Sequence, residues 1–316
     1  MAITSDRTAH LPEITIPSVG LSGRRLRRTI GRTFTYGALI AWAFVCLFPI
    51  FWVVSTSFKV AQDIFQGRIL PWLQFQPDWK GWESLGLSPS TIGEPSGNRD
   101  FFLKHAMNSV TISLAAAAIA TVVGALAAYG LTRFSYRFGP WRNKDISFWF
   151  LSQLILPPIA LAMPLRVLYR PDGLDLLDTR TGLILIYVIM NLPIVIWIMR
   201  DQFGSIPLEL EQAALVDGAT IWQTFFRIVV PLAGPGFVAA FILALVFCWH
   251  EYFFAVVLSG ANSPTLPIQL AGQVSSQGIR WWSIAALSTA AIAPLAIIGI
   301  LLERYIVKGL TAGAVK

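Results

Sequence analysis

The stretch Ser205-Ile206-Pro207-Leu208-Glu209-Leu210-Glu211-Gln212-Ala213-Ala214-Leu215-Val216-Asp217-Gly218-Ala219-Thr220, continued by Ile221-Trp222-Gln223-Thr224-Phe225-Phe226-Arg227-Ile228-Val229-Val230-Pro231, separates two long apolar runs. Ser205 can cap a helix, Pro207 suits its first turn, and Glu209 and Glu211 fall near its positive end. Asp217-Gly218 stops that helix, because glycine adopts the left-handed conformation that ends one. Thr220 then caps a second short helix, to which Trp222, Phe225 and Phe226 add bulk, before Pro231 breaks the chain. The expectation is a helix-turn-helix elbow. Its Ala213-Ala214 pair carries so little side chain that another protein surface can approach the backbone closely. An interfacial amphipathic loop is the alternative reading.

The surroundings of this stretch place it at a membrane. Of 316 residues, 55% are apolar and only 13% are Asp, Glu, Lys or Arg, against roughly 25% charged in a soluble domain. The mean hydropathy is +0.63. The 24 Lys and Arg outnumber the 17 Asp and Glu, but they lie at the edges of apolar runs, which excludes a nucleic-acid patch. Cys46 and Cys248 both sit in apolar segments without metal-ligand spacing, so neither a disulfide framework nor a metal site is indicated. A bilayer core requires about 20 apolar residues per helix, and stretches near 34–57, 108–131, 146–168, 181–199, 233–257 and 283–302 meet that need. The first begins too late and runs too long for a cleaved signal peptide, and is read as a retained helix.

Lys and Arg near span ends orient the chain. Segments 1–33, 132–145, 200–232 and 303–316 carry 15 basic residues, and the opposite side carries 9, of which 5 lie in the long stretch 58–107. Both termini and the elbow are therefore expected on the cytoplasmic face. Three regions follow: a cytoplasmic tail 1–33, partly disordered over 1–23; a six-helix transmembrane region 34–302; and a cytoplasmic tail 303–316. Arg24, Arg25, Arg27 and Arg28 are placed to anchor the first span at anionic lipid. The outer loop 58–107, with Trp72, Trp79 and Trp82, is read as ordered or semi-ordered, and serves either as an interfacial anchor or as a contact for an external partner.

The elbow resembles the EAA loop of permease subunits of binding-protein-dependent ABC importers, through Ile206, Pro207, Leu210, Ala213, Ala214, Asp217, Gly218, Ala219 and Pro231. Gln212 stands where that family usually has the Glu of the motif, with Glu211 immediately before it. Asn108-Ser109, Ala127-Ala128-Tyr129, Arg133-Phe134, Leu156-Pro157-Pro158 and the tail from Glu303 to Lys316 are similar to the carbohydrate-uptake branch related to the maltose permease. The resemblance implies an all-α membrane fold of the type I importer class, with six transmembrane helices and a cytoplasmic coupling elbow. It implies docking of Glu211, Gln212, Ala213, Ala214, Asp217, Gly218 and Ala219 on an ATPase subunit, with the charged contact either weakened at Gln212 or carried by Glu211. The implied partners are a second homologous permease, two ATPase subunits that bind ATP and Mg, an external solute-binding protein and membrane lipid, with no nucleic acid. No cofactor is expected in this chain. In the maltose system the corresponding tail reaches into the ATPase dimer; a lipid-facing anchor through Arg304 and Lys308 is the other reading here.

Charge inside a span is costly, which makes Glu251 a candidate for function. The run Trp249-His250-Glu251-Tyr252-Phe253 resembles the family's W-N-E-F stretch, so Glu251 is either structural, part of gating, or a substrate contact. His250, where the chain departs from that pattern, is a candidate with it. Trp249, Tyr252 and Phe253 can stack on a sugar, and Gln153 and Asn191 are either sugar hydrogen-bonders or glue between helices. Pro157, Pro158, Pro164, Pro193 and Pro294 are expected to bend their spans. With no G-x-x-x-x-G-K-[ST] and no H-E-x-x-H, the chain is read as a permease subunit and not an enzyme. An ion-coupled secondary transporter is the competing reading, although Glu251 alone leaves little acid for ion coupling.

Overall fold

The computed structural model describes residues 21–275 and 278–312, with side chains over 31–274 and 278–302. The helices are α1 (Leu21–Thr56), α2 (Ala61–Phe65), α3 (Lys80–Glu83), α4 (Gly97–Arg133), α5 (Asn143–Ser152), α6 (Pro158–Leu168), α7 (Arg180–Gly204), α8 (Leu208–Val216), α9 (Ile221–Thr224), α10 (Val230–Leu232), α11 (Gly234–His250), α12 (Phe253–Leu258), α13 (Leu266–Ala271) and α14 (Trp281–Ala312). Two short antiparallel hairpins, β1 (Arg137–Phe138) with β2 (Trp141–Arg142) and β3 (Val274–Ser275) with β4 (Gly278–Ile279), were not foreseen.

The chain forms two units, divided between Trp52 and Val53. The first is the greater part of α1, whose Gly31–Thr56 portion is apolar enough to span. This helix begins at Leu21, within the stretch 1–23 read as disordered; residues 1–20, and the side chains of the four arginines from Arg24 to Arg28, lie outside the described residues.

The second unit is built on α4 and α7. Their seam is made of small residues: Ala116, Ala117, Ala120 and Ala128 are fully buried, and a Cβ on Gly124 would come within 2.5 Å of Val195 Cγ1. Without water to drive burial, close backbone approach is what holds membrane helices together. Helix α11 adds Ala240 and Ala244 to the same core. A second cluster joins Leu85 and Phe102 to Trp249, Leu266, Ala286 and Leu287.

Four helices are long and apolar enough to cross a membrane alone, and two bent pairs pass the same test together, so six is the upper count among the described residues. The third expected span is not one helix. It runs as α5 with a 3-10 turn Gln153–Ile155, then turns by 91° into α6. Pro157 and Pro158 lack N–H donors and push Leu156 into extended backbone, with ψ 121°. The fifth expected span is also interrupted: α11 ends at His250, Glu251 is extended, and α12 follows. Pro164, Pro193 and Pro294, by contrast, lie inside helices that continue past them.

Within the loop 58–107, α3 packs on the end of α1 and the start of α14. Gly81 of α3 is buried so closely that a Cβ would meet the carbonyl oxygens of Ser57 and Trp282 at 2.7 Å, and Lys80 Nζ sits over the Trp282 ring. Phe58 packs on both Trp79 and Trp82. Trp82 is thus half-buried protein packing, whereas Trp72 is 74% exposed. The backbone of the last helix continues to Ala312; the side chains beyond Leu302, on which the two readings of the tail turn, lie outside the described residues.

Candidate functional site

The elbow forms as α8 and α9. Ser205 does not cap α8: it closes α7, with its hydroxyl donating to Gln202 O at 2.7 Å. Pro207, extended at ψ 130°, occupies the capping position instead, where its missing N–H costs nothing. Helix α8 ends as expected, on Gly218 at φ +88°, with Ala219 N donating to Ala214 O at 3.0 Å. Thr220 caps α9 in a reciprocal box with Gln223, at 3.2 and 2.8 Å. A π turn, Phe225–Val229, follows, and the chain bends by 75° between Leu232 and Gly234. The break therefore falls two residues after Pro231, at Ala233, ahead of Pro235 at the start of α11.

The elbow is bound to the spans through Glu211. This carboxylate is buried, with Oε1 accepting from Arg133 Nε at 2.7 Å and Oε2 from the Tyr129 hydroxyl at 2.8 Å. Arg133 also donates to the carbonyls of Phe203 (2.9 Å) and Ile206 (3.0 Å), so one guanidinium at the end of α4 ties the end of α7 to α8. Both carboxylate oxygens are satisfied internally and the arginine finds three acceptors, the condition under which a buried ion pair is tolerated. Glu211 thus faces inward and is not presented to a partner in this structure. Gln212, Ala213, Asp217 and Gly218 are exposed, and Ala214 and Ala219 half-buried. Beneath the pair, Tyr129, Phe203 and Phe225 form a buried aromatic cluster, with Tyr129 4.6 Å from Phe225 and 5.6 Å from Phe203, extended by Phe237 of α11. Trp222 and Phe226 remain exposed and stacked.

At the other end of the α4 and α7 pair, Asp178 joins two loops. Its carboxylate accepts from the backbone N–H groups of Gly260 (2.7 Å), Asn262 (3.0 Å) and Ser263 (3.0 Å) and from the Ser263 hydroxyl. Burial alone would raise its pKa, but these donors outweigh it and hold the carboxyl below its ordinary value. Asn108 accepts from Arg180 Nε at 2.8 Å and donates to Pro264 O at 2.9 Å, and the Ser109 hydroxyl accepts from Leu266 N. The Asn108-Ser109 pair thus acts in loop closure.

The proposed path residues separate. Trp249, His250 and Tyr252 line one cavity of about 520 Å³ with Leu270, Ile284 and Ile292 of α13 and α14. Glu251 is engaged elsewhere, because its carboxylate accepts from Phe254 N and Ala255 N, at 2.9 and 3.1 Å, and so caps α12. Asn191 is buried, donating to Tyr187 O and Cys248 Sγ, which makes it glue between α7 and α11. Gln153 lines a separate cavity of about 210 Å³ against α7. Among the described residues, no three His, Cys, Asp or Glu groups converge as metal ligands.

Helices long and apolar enough to cross a membrane, with two short helices set between a pair of them, define an integral membrane protein. The chain belongs to the family of binding-protein-dependent transport system inner membrane components, whose description matches residues 120–312. It is 34% identical to the trehalose transport system permease protein SugB of Mycobacterium tuberculosis, over 90% of this chain and 98% of that protein. It is 31% identical to the inner membrane ABC transporter permease protein YcjP of Escherichia coli, over 92% and 98%, and 30% identical to the trehalose/maltose transport system permease protein MalG of Thermococcus litoralis, over 88% and 94%. A bacterial ABC transporter that imports the acidic polysaccharide alginate shares the fold, with a TM-score of 0.66 at 21% identity over 92% of this chain and all of that one.

Proposed function

We propose that this chain is one of two different permease subunits of an ATP-driven importer, forming half of the path for a carbohydrate or a related polyol. It pairs with a second homologous permease, two ATPase subunits that bind ATP and Mg, and an external solute-binding protein. It lies in the bacterial cytoplasmic membrane, with both termini and the elbow on the cytoplasmic side. The observation that carries this reading is the elbow: an exposed face of Gln212 and Ala213 on a helix bound to α4 and α7 through Glu211 and Arg133. Force applied by an ATPase at α8 would pass into the two central spans through that ion pair. The carbohydrate class rests on the relatives named for trehalose and maltose transport, and the Trp249, His250 and Tyr252 cavity offers ring faces and an imidazole to a sugar.

Reconstitution of the full complex in proteoliposomes tests it. Uptake should require ATP and the binding protein; uptake that follows a proton or sodium gradient and ignores ATP overturns the reading. At the elbow, Gly218→Trp, or Ala213→Trp with Ala214→Leu, should reduce ATP-driven uptake by about tenfold or more, the loss expected when a small contact is held apart, while membrane insertion persists. Ligand identification on the partner binding protein would name the substrate.

A further inference from the structure

Beside the elbow, the chain leaving α4 folds into the β1–β2 hairpin, which the proposed transport cycle leaves unused. Its two-residue turn is Gly139-Pro140, with Gly139 at φ +60°. Asn143 fixes it in place, donating to Leu131 O (2.8 Å) and Phe134 O and accepting from Tyr136 N. Two cavities meet here. One, of about 560 Å³, is lined by Arg137, Arg142 and Lys144. The single acid in its wall, Asp145, already accepts from Arg142 N at 2.8 Å. None of the three cations forms an ion pair among the described residues. The other, of about 650 Å³, is apolar, lined by Leu131, Phe138, Trp141, Ile146 and Trp149. Tyr136 and Arg137 belong to both walls.

We infer that this paired basic cleft and apolar groove binds an anionic phospholipid, its phosphate among Arg137, Arg142 and Lys144 and an acyl chain along Trp141 and Trp149. A soluble anion would account for the cations but not for the apolar half. A neutral lipid would account for the groove but not for three unpaired cations beside it. Phe138, 81% exposed, and Trp141, 45% exposed, stand at the junction of α4 with α5, where the chain passes from apolar span to polar loop. Aromatic and basic side chains together at that depth are what an anionic headgroup region attracts.

The test uses the full chain purified with its accompanying subunits and a phosphatidylglycerol carrying a photoreactive acyl chain. Label should appear in the segment 131–149, and unlabelled phosphatidylglycerol should compete about tenfold better than phosphatidylcholine, the preference expected of a few cations at an anionic surface. Inorganic phosphate should not compete. The triple variant Arg137→Ala, Arg142→Ala, Lys144→Ala should lower labelling of 131–149 by about tenfold while labelling of α14 stays constant, which controls for folding. Equal competition by phosphatidylcholine, displacement by inorganic phosphate, labelling unchanged in the triple variant, or labelling that appears only once the accompanying subunits are removed would each overturn the inference. Should the triple variant fail to fold, competition on the unaltered chain decides it alone.

Discussion

Arg133 makes bonds to three places in the chain, and its removal would strand the most buried carboxylate of the elbow. Loss of one partner from a buried ion pair costs about 3–5 kcal/mol. Arg133→Ala is expected to destabilise the protein by about that amount in detergent thermal unfolding and to abolish ATP-driven uptake. A double Arg133→Met, Glu211→Met variant should recover much of the stability, because no charge is left unpaired, but not the uptake. At the opposite end, Asp178 gives a prediction with a definite sign in pH. Its folded pKa lies below the ordinary 3.8, so its contribution is complete above that value and is lost only as pH falls through the lower folded one. Asp178→Asn should therefore cost about 1–2 kcal/mol at neutral pH, and the difference between the two proteins should stay constant from pH 5 to 8 in unfolding measurements and shrink only in stronger acid. Neither role was legible in the sequence. Arg133 stood out through resemblance alone, because an ion pair across 78 residues leaves no periodic trace, and Asp178, whose partners lie 82 to 85 residues away, did not stand out at all.

At the scale of elements, the signals that held were local ones. Gly218 ended α8 because the chain needs a positive φ there, and Thr220 with Gln223 opened α9 because the box spans three residues. Nothing lies within 4 Å of a Cβ placed on Gly218, so Gly218→Ala should cost only the conformational penalty of about 1 kcal/mol, with Gly218→Asn less and Gly218→Val more in thermal unfolding. The signals that failed were those that counted apolar residues without asking where backbone bonding stops. Hydropathy treated 146–168 and 233–257 as unbroken, yet one breaks at Pro157 and the other at Glu251. The second break also explains why an acid sits in an apolar run: it is spent on two N–H groups of α12. Glu251→Ala should lower stability by about 0.5–2 kcal/mol through loss of that cap, whereas Glu251→Gln, which keeps an acceptor, should transport nearly as the natural protein does. A collapse of uptake in Glu251→Gln with stability intact would instead restore the carboxylate as a substrate or gating group.

For the whole molecule, the number of spans and their polarity rest on arithmetic that needs no side-chain contact. Apolar length is additive along the chain and Lys and Arg bias is a sum over loops, so both survive errors of a few residues at any boundary. Cavities do not: they depend on how broken helices lean on their neighbours, which is why His250 and Tyr252 share one cavity while Gln153 lines another and Asn191 is sealed in a seam. The same arithmetic makes orientation testable. With the elbow on the cytoplasmic side, a fluorescent protein fused after Lys316 should fluoresce. Ile92→Cys, at a position 61% exposed in the outer loop, should react with a membrane-impermeant thiol reagent in intact cells, and Phe138→Cys, at a position 81% exposed beside the elbow, should react only after lysis. Both substitutions are made together with Cys46→Ser, because Cys46 is exposed, whereas Cys248 is buried. Reaction of Phe138→Cys in intact cells would invert the topology and remove the elbow from the reach of any cytoplasmic ATPase.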